Sequence, residues 1–268
     1  MSIKTRFVNA VSVRSTSNSL EPGPVHPLVS WLSRLWLLPK RLLLRRRLRR
    51  PVIEQVAGRP FLVLPNVFNP VIFRTGRYLA EYIRAAPALD VSANSRGLTA
   101  LDVGTGCGIH AIFAAERGFT VEAVDISEEA TRCATINVML NDVGDRVSIH
   151  QGDLFLPVTG QRFDLVMCSL PKFRGSPESA FEIGWKSTDV IDKFSIGLPK
   201  VLKRDGIALV LLTSHGDERG MLDGLVAAGL RVEIAERKHF GVEIMTIYRV
   251  THRPDALCGQ GEETAGCA

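Results

Sequence analysis

From Thr99 onward, short apolar runs alternate with amphipathic stretches, and this alternation restricts the possible folds more than any other feature. The apolar runs read as strands at 99–104, 120–125, 146–153, 163–168 and 207–213, with helix-forming segments between most of them. Strands that alternate with helices of about 10–15 residues predict a doubly wound α/β fold built on a parallel sheet.

The last two apolar runs, 231–237 and 243–250, are separated only by Lys-His-Phe-Gly-Val. A parallel crossover needs about a dozen residues, so these two runs should pair in antiparallel fashion. The sequence therefore predicts a Rossmann-like, mostly parallel sheet of seven strands with an antiparallel last strand.

Composition and sequence pattern divide the chain into four parts. We expect a disordered N-terminus at 1–26, a basic helix and small hairpin at 27–70, the α/β domain at 71–252 and a disordered tail at 253–268. The first twenty residues, which contain several serines and no acid, also fit a transit peptide, but composition favours simple disorder.

The formal charge of +5 comes from one segment, since 34–50 holds eight cations and no acid, which leaves −3 elsewhere. Arginines and leucines alternate in this segment, which suits a surface helix packed on the domain, a dock for an acidic partner, or a helix lying on anionic lipid. Nucleic acid is the weaker choice of acidic partner, because the nearby tryptophans lie away from the arginine cluster. Arg34, Pro39 and Lys40 interrupt the leucine run, so no transmembrane helix is expected.

Cysteine usage indicates the compartment. The chain has five cysteines, an odd number, and no Cys-x-x-Cys pair or His/Cys cluster at metal-ligand spacing. This pattern predicts neither a disulfide framework nor a bound metal, and it favours a reducing, cytoplasmic setting.

Three consecutive strand ends carry residues suited to a nucleoside. The strand at 99–104 runs into Gly104, Gly106 and Gly108, a spacing that differs from the dinucleotide fingerprint G-x-G-x-x-G. Asp125 ends the next strand, where a carboxylate can accept hydrogen bonds from ribose hydroxyls. Asp153 follows the third strand and offers an acceptor for an adenine amino group. The pattern predicts an adenosine-shaped pocket.

These segments resemble the class I S-adenosylmethionine-dependent methyltransferases. LDVGTGCG (101–108), VDIS (124–127) and GDLF (152–155) are similar to that family's first three cofactor motifs. Within the class, the order and spacing resemble most closely the HemK-like and small-domain methyltransferases, which methylate protein glutamine or exocyclic nucleobase nitrogens. VFNPVIFRTGRYLA (67–80) resembles the segment that lies over the cofactor in that family.

The resemblance implies a cofactor, S-adenosyl-L-methionine, and a set of residues that bind it. The set comprises the strand ends and part of the preceding segment: Phe73, Thr75, Asp102, Gly104, Gly106, Gly108, Asp125, Ile126, Asp153, Leu154 and Ser169.

The end of the fourth strand departs from the family pattern. HemK-like enzymes have Asn-Pro-Pro followed by Tyr or Phe here, whereas this chain has Ser169-Leu-Pro171-Lys with Phe173 one position late. The resemblance implies that Ser169, Pro171 and Phe173 form the methyl-acceptor site. A serine hydroxyl presents one oxygen and lacks the amide NH₂, so recognition of a glutamine amide should be weaker.

Three hypotheses follow. The first is N-methylation of a protein or peptide side chain, or of a peptidic or small natural product. The second is O-methylation of a small molecule with His215 as the base, because a hydroxyl needs deprotonation and a neutral amine does not. The third is a non-catalytic protein that binds S-adenosylmethionine.

Overall fold

The structure is a computed structural model that describes residues 50–86, 89, 97–169, 173–176 and 186–254. The side chains of residues 173, 174, 186 and 187 are not described. The predicted N-terminal disorder, nearly all of the basic helix, Pro171 and most of the C-terminal tail lie outside these ranges.

Helices and strands alternate along the described chain as the sequence predicts. Two strands form a hairpin, β1 Val52–Val56 and β2 Arg59–Val63, and a short helix, α1 Pro70–Phe73, precedes α2 Thr75–Ala85. The α/β part follows with β3 Thr99–Val103, α3 Ile109–Glu116, β4 Thr120–Asp125, α4 Glu128–Leu140, β5 Val147–Gln151, β6 Phe163–Cys168, β7 Phe173–Arg174, β8 Lys186–Ser187, α5 Val190–Val201, β9 Leu202–Thr213, α6 Glu218–Ala227, β10 Leu230–Phe240 and β11 Glu243–His252.

The central sheet has seven strands in the order β10-β11-β9-β6-β3-β4-β5. Strands β9, β6, β3, β4 and β5 are parallel, and β11 is antiparallel to both of its neighbours. This arrangement confirms the predicted fold class. The chain proceeds outward from β3 to β5 and then returns to the other side of β3 as β6. That reversal opens a crevice at the carboxyl ends of β3 and β6, where α/β sheets bind ligands.

Each face of the sheet is covered by its own apolar layer. Side chains of α2, α3 and α4 pack on one face, with Leu79, Phe113 and Cys133 almost fully buried. Helices α5 and α6 cover the other face through Phe194 and Leu225. Because both faces are covered, the central strands are apolar on both sides, which explains their nearly unbroken apolar runs.

The hairpin belongs to the first of these layers. Its turn places Ala57 and Gly58 at φ of 49° and 83°, a pair of positive values that suits a tight hairpin. Phe61 of β2 is fully buried in the same core as the α2, α3 and α4 side chains. The boundary at 70/71 between the extension and the domain stays a prediction.

Three strands are longer than the sequence predicts: β9, β10 and β11. The residues Lys-Arg-Asp-Gly at 203–206 have a charged pattern typical of a helix end, but they lie in the first part of β9. There the pairing with β6 shifts register, and a Cβ on Gly206 would lie 2.8 Å from the carbonyl oxygen of Phe163. Strands β10 and β11 are also longer than predicted, because a turn at Gly241-Val242 joins them directly. In the described part of the chain no helix is long and apolar enough to span a bilayer.

Candidate cofactor and acceptor site

A cleft of about 370 Å³ lies at the carboxyl ends of the central strands, and its volume is in the range of small-molecule sites. Its floor comes from the loops that follow β3, β4, β5 and β6, and its roof from the segment between β2 and α2. The predicted residues that line it are Gly104, Gly106, Asp125, Ile126, Asp153, Leu154 and Ser169.

The glycine loop approaches the cleft through its backbone. The N–H groups of Gly104 and Thr105 donate to the carbonyl of Val124, at 2.9 and 3.0 Å, which ties the loop to β4. Gly106 has a φ of 57°, and no heavy atom lies within 4 Å of the position that its Cβ would occupy. A positive φ favours glycine here, and the bare backbone leaves space for a ligand.

Asp125 connects the loop to the end of β4. One carboxylate oxygen accepts from the Gly106 N–H at 2.9 Å, and the other accepts from the Ser127 N–H at 3.0 Å. Burial raises the pKa of the Asp125 carboxyl, while these backbone donors act in the opposite direction. Each oxygen keeps a lone pair for a ligand, since a carboxylate offers about four acceptor positions.

Asp102 lies behind the loop and does not line the cleft. It is fully buried, and its Oδ2 accepts from the Thr105 hydroxyl at 2.6 Å and from the Ala111 N–H at 3.2 Å. Asp102 therefore holds the two ends of the glycine loop together from below. Gly108 is also outside the cleft lining; with a φ of 82°, a Cβ there would lie 3.2 Å from the Cβ of Ala134.

His110, the second residue of α3, also lines the cleft. The ring is buried, with Nε2 at 3.0 Å from the Gly76 carbonyl oxygen and Nδ1 at 3.4 Å from Oδ1 of Asp102. His110 thus connects the floor of the cleft to α2 in its roof.

The roof is formed by the chain that leaves the hairpin. Asn66, Val67 and Phe68 line the cleft, together with Pro70 and Gly76. The predicted residues Phe73 and Thr75 belong to the same segment but do not line the cleft; Thr75 is buried and Phe73 is partly buried.

Asp153 has a cationic partner at the cleft mouth. Lys193, on the first turn of α5, reaches Oδ2 of Asp153 at 3.1 Å and Oδ2 of Asp189 at 2.9 Å. Both carboxylates raise the pKa of the Lys193 ammonium, and the hydrogen bond to Asp189 has the larger effect. The sequence does not single out Lys193. Its i,i+4 spacing from Asp189 is common in helices and does not indicate that Lys193 also contacts Asp153.

The acceptor turn is described only in part. Ser169 follows β6 directly and lines the cleft. Phe173 begins β7, which pairs in parallel with β8, and Pro171 lies outside the described residues. The predicted roles of Pro171 and Phe173 stay predictions.

Comparisons with known proteins identify the family. Residues 100–182 match a family described as a methyltransferase domain. A Methanocaldococcus jannaschii protein with the provisional name protein N5-glutamine methyltransferase is 32% identical over 146 residues, which cover 51% of this chain and 73% of that protein. This chain belongs to the class I S-adenosylmethionine-dependent methyltransferases. It is therefore a transferase whose cofactor is S-adenosyl-L-methionine.

Another relative in this family is longer. The ribosomal protein uL3 glutamine methyltransferase of Bradyrhizobium diazoefficiens is 38% identical over 120 residues, which cover 40% of this chain and only 38% of that enzyme. Among solved structures, the 16S rRNA N2 G1207 methyltransferase of T. Thermophilus superposes with a TM-score of 0.55 at 16% identity, covering 76% of this chain and 50% of that chain. This superposition supports the fold assignment.

Proposed function

We propose that this methyltransferase transfers a methyl group to a nitrogen atom of a protein or peptide side chain, or of a peptidic small molecule. The observation that carries the proposal is that Ser169 shares one cleft with Gly106, Asp125 and Asp153. An acceptor held beside Ser169 would face a cofactor held by the other three residues.

The cleft suits S-adenosylmethionine in its shape and its donor and acceptor groups. We infer that the backbone at Gly104 and Gly106 lies against the cofactor and that Asp125 accepts from its ribose hydroxyls. Ile126, which is 54% exposed, offers an apolar face to adenine, and Asp153 an acceptor for the adenine amino group. Leu154 adds apolar lining beside Asp153.

Four other predicted residues would act through the shape of the cleft. Asp102 and Gly108 fix the glycine loop from behind, while Phe73 and Thr75 belong to the helices that carry the roof. Each would contribute to cofactor affinity by positioning backbone.

The chemistry places modest demands on the protein. When bound, S-adenosylmethionine would supply a methyl group on a sulfonium sulfur: the nitrogen lone pair would bond to the methyl carbon in line as the carbon–sulfur bond breaks, the sulfur would leave as a neutral thioether, and the methylated nitrogen would give up a proton to solvent. The chain has to hold that nitrogen in its neutral form, orient it and exclude water. The Ser169 hydroxyl can accept a hydrogen bond from an acceptor N–H, and the roof segment 66–70 shields the cleft from solvent.

O-methylation by a histidine base receives little support. His215 does not line the cleft; its Nδ1 lies 3.8 Å from a carboxylate oxygen of Glu243. The histidine that does line the cleft, His110, has both ring nitrogens directed at protein oxygens.

The names of two relatives support a protein side chain as the acceptor class. Both are named as glutamine methyltransferases, and one is named for a ribosomal protein. Ser169 stands where the resembling enzymes have asparagine, so we propose an acceptor amine or amide that needs one hydrogen-bond acceptor in place of a full amide clamp. The buried thiols Cys107 and Cys133 suit the reducing, cytoplasmic setting that we propose for this reaction.

A labelling experiment tests this proposal. Purified protein is mixed with methyl-labelled S-adenosylmethionine and cell extract separated into protein, RNA and small-molecule fractions. We expect label in protein or peptide, on a nitrogen identified by mass spectrometry, and much less label with the Asp125→Ala variant when the cofactor concentration is near the wild-type Kd. Label confined to small molecules and lost with His215→Ala would support O-methylation. Cofactor binding without label in any fraction would support a non-catalytic protein.

A further inference from the structure

Asn137, on α4, is completely buried and uses its side-chain amide at the junction of three segments. Its Oδ1 accepts from the backbone N–H of Leu62 at 2.7 Å, and its Nδ2 donates to the Leu62 carbonyl at 2.7 Å. The same Nδ2 donates to the carbonyl of Cys107 at 2.9 Å. Leu62 belongs to the hairpin and Cys107 to the glycine loop.

An amide is the one side-chain group that suits this position. It offers an acceptor to the Leu62 N–H and two N–H donors to two carbonyl oxygens, which satisfies all three backbone groups. In effect, Asn137 pairs with the free edge of β2 as a further strand would. A carboxylate would direct an oxygen at two carbonyls, and an apolar side chain would leave the Leu62 N–H and the Cys107 carbonyl unpaired, while the Leu62 carbonyl kept only the thiol of Cys133, at 3.1 Å.

The hairpin and the cofactor cleft are also joined through the roof. The chain passes from β2 directly to Asn66, Val67 and Phe68, which line the cleft. At the end of this stretch Asn69 caps α1 and donates from Nδ2 to Oε1 of Glu54 in β1, at 2.8 Å. None of the described hairpin residues 52–63 lines the cleft itself, so any effect of the hairpin on the cofactor is indirect.

We propose that Asn137 is a positioning residue that couples docking of the hairpin to the shape of the glycine loop. A single coupling free energy then connects cofactor binding with hairpin docking. Each process increases the equilibrium constant of the other by the same factor. The inference rests on the cofactor position proposed above, and it does not depend on the identity of the acceptor.

Asn141, one turn further along α4, provides a matched control. It is also buried, and its Nδ2 donates to the carbonyl of Pro60 in the hairpin at 3.0 Å and to the Asn137 carbonyl at 2.9 Å. It makes no hydrogen bond to the glycine loop. Removing either asparagine amide should weaken hairpin docking, whereas only the loss of the Asn137 amide should disturb the cofactor loop.

The first test compares affinity for S-adenosylmethionine by isothermal titration calorimetry, well below the melting temperature of each variant. Asn137→Asp should raise Kd about tenfold or more, because the buried Cys107 carbonyl loses its donor and the Leu62 carbonyl keeps only the weakly donating Cys133 thiol. Asn141→Ala should leave Kd within about twofold while lowering Tm. Equal effects of the two variants on Kd, or an unchanged Kd for Asn137→Asp, would overturn the coupling.

A second test needs no variant and covers the case in which Asn137→Asp does not fold. In the wild-type protein, saturating S-adenosylmethionine should slow amide hydrogen exchange in residues 59–64, away from the cleft lining. Exchange there that does not respond to the cofactor overturns the inference. A separate titration identifies failure of the cofactor position itself: if Asp125→Ala has the same Kd as the wild type, the proposed cofactor position is wrong.

Discussion

Asp125 is the side chain on which cofactor affinity should depend most, because it faces the cleft and also holds the Gly106 N–H. Asp125→Ala removes the acceptor for the ribose hydroxyls and frees the glycine loop. We expect binding of S-adenosylmethionine to weaken by about 1–3 kcal/mol. Calorimetric titration measures this change directly.

A surface aspartate serves as the control for charge. Asp145 has a side chain that is 75% exposed and interacts with Arg146 at 3.8 Å. Asp145→Asn removes the same charge, but Asp145 makes no hydrogen bond to the glycine loop. The Kd of this variant for S-adenosylmethionine should therefore match that of the wild type. A fall in affinity as large as that of Asp125→Ala would point to net charge as the cause.

The raised pKa of Asp125 predicts a pH dependence for cofactor binding. The ionised carboxylate accepts from the ribose hydroxyls, so the complex favours the ionised form while burial favours the protonated form in the free protein. Binding therefore releases a proton at pH values near the pKa that the Asp125 carboxyl has in the free protein. Affinity for the cofactor falls as the pH decreases through that pKa. Because that pKa is raised, the loss should begin above the range of an ordinary aspartate, about 4.

Titrations at several pH values, in buffers of different ionisation enthalpy, measure both Kd and the proton release. The variant Asp125→Asn cannot ionise and should show a weaker but flat profile across the same range. A wild-type profile that is equally flat would indicate that Asp125 is ionised throughout or does not contact the cofactor.

At the scale of elements, Gly108 sets how closely the glycine loop approaches α4. Gly108→Ala adds a Cβ 3.2 Å from the Cβ of Ala134 and 3.3 Å from its Cα, at a φ of 82°. Both the backbone strain and the contact oppose it, so we expect a loss of about 2–4 kcal/mol in the free energy of unfolding. Cofactor affinity should fall as well, since the loop must shift.

Gly229 separates the two causes. Its φ is 81°, almost the same as that of Gly108, but no atom lies within 4 Å of the added Cβ. Gly229→Ala should therefore cost about 1–2 kcal/mol from backbone strain alone, with an unchanged Kd. Urea denaturation of both variants gives the difference, and equal losses would show that the contact with Ala134 is relieved without cost.

The elements that the sequence predicted correctly are those with a local periodic signal. The strands at 99–103, 120–125 and 163–168 are mostly apolar and are followed by or end in glycine or polar residues, which marks both their type and their ends. The opening of β9 at 202–206 escaped prediction, because Arg204 and Asp205 are exposed where this strand begins and resemble the end of a helix.

For the whole molecule, parallel topology made the site partly predictable. The carboxyl ends of β3, β4 and β5 share one edge of the sheet, so residues at three separate strand ends had to converge there. The roof could not be predicted in the same way. Its connections join residues far apart in sequence, such as His110 to Gly76 and Asn137 to Leu62, 34 and 75 positions apart. Such contacts depend on tertiary packing and leave no periodic pattern in the sequence.

The basic segment at 34–50 permits a prediction for the entire chain. All described residues that line the cleft lie at or beyond Asn66, so deleting residues 1–49 should leave the Kd for S-adenosylmethionine within about twofold. The deletion removes seven of the eight cations, which we propose attract an acidic acceptor. At low ionic strength, the shortened protein should therefore have a higher KM for the labelled protein substrate than the full-length protein, with kcat little changed.

The charge can also be removed without shortening the chain. Replacing Arg45, Arg46 and Arg47 with glutamine should raise KM in the same direction as the deletion, by a smaller amount. Both effects should diminish as salt increases, because screening acts over about 10 Å at 0.1 M salt. If KM instead stays at the wild-type value at low salt in both proteins, the segment does not dock the acceptor. Substrate selection would then belong to the cleft and the turn after β6.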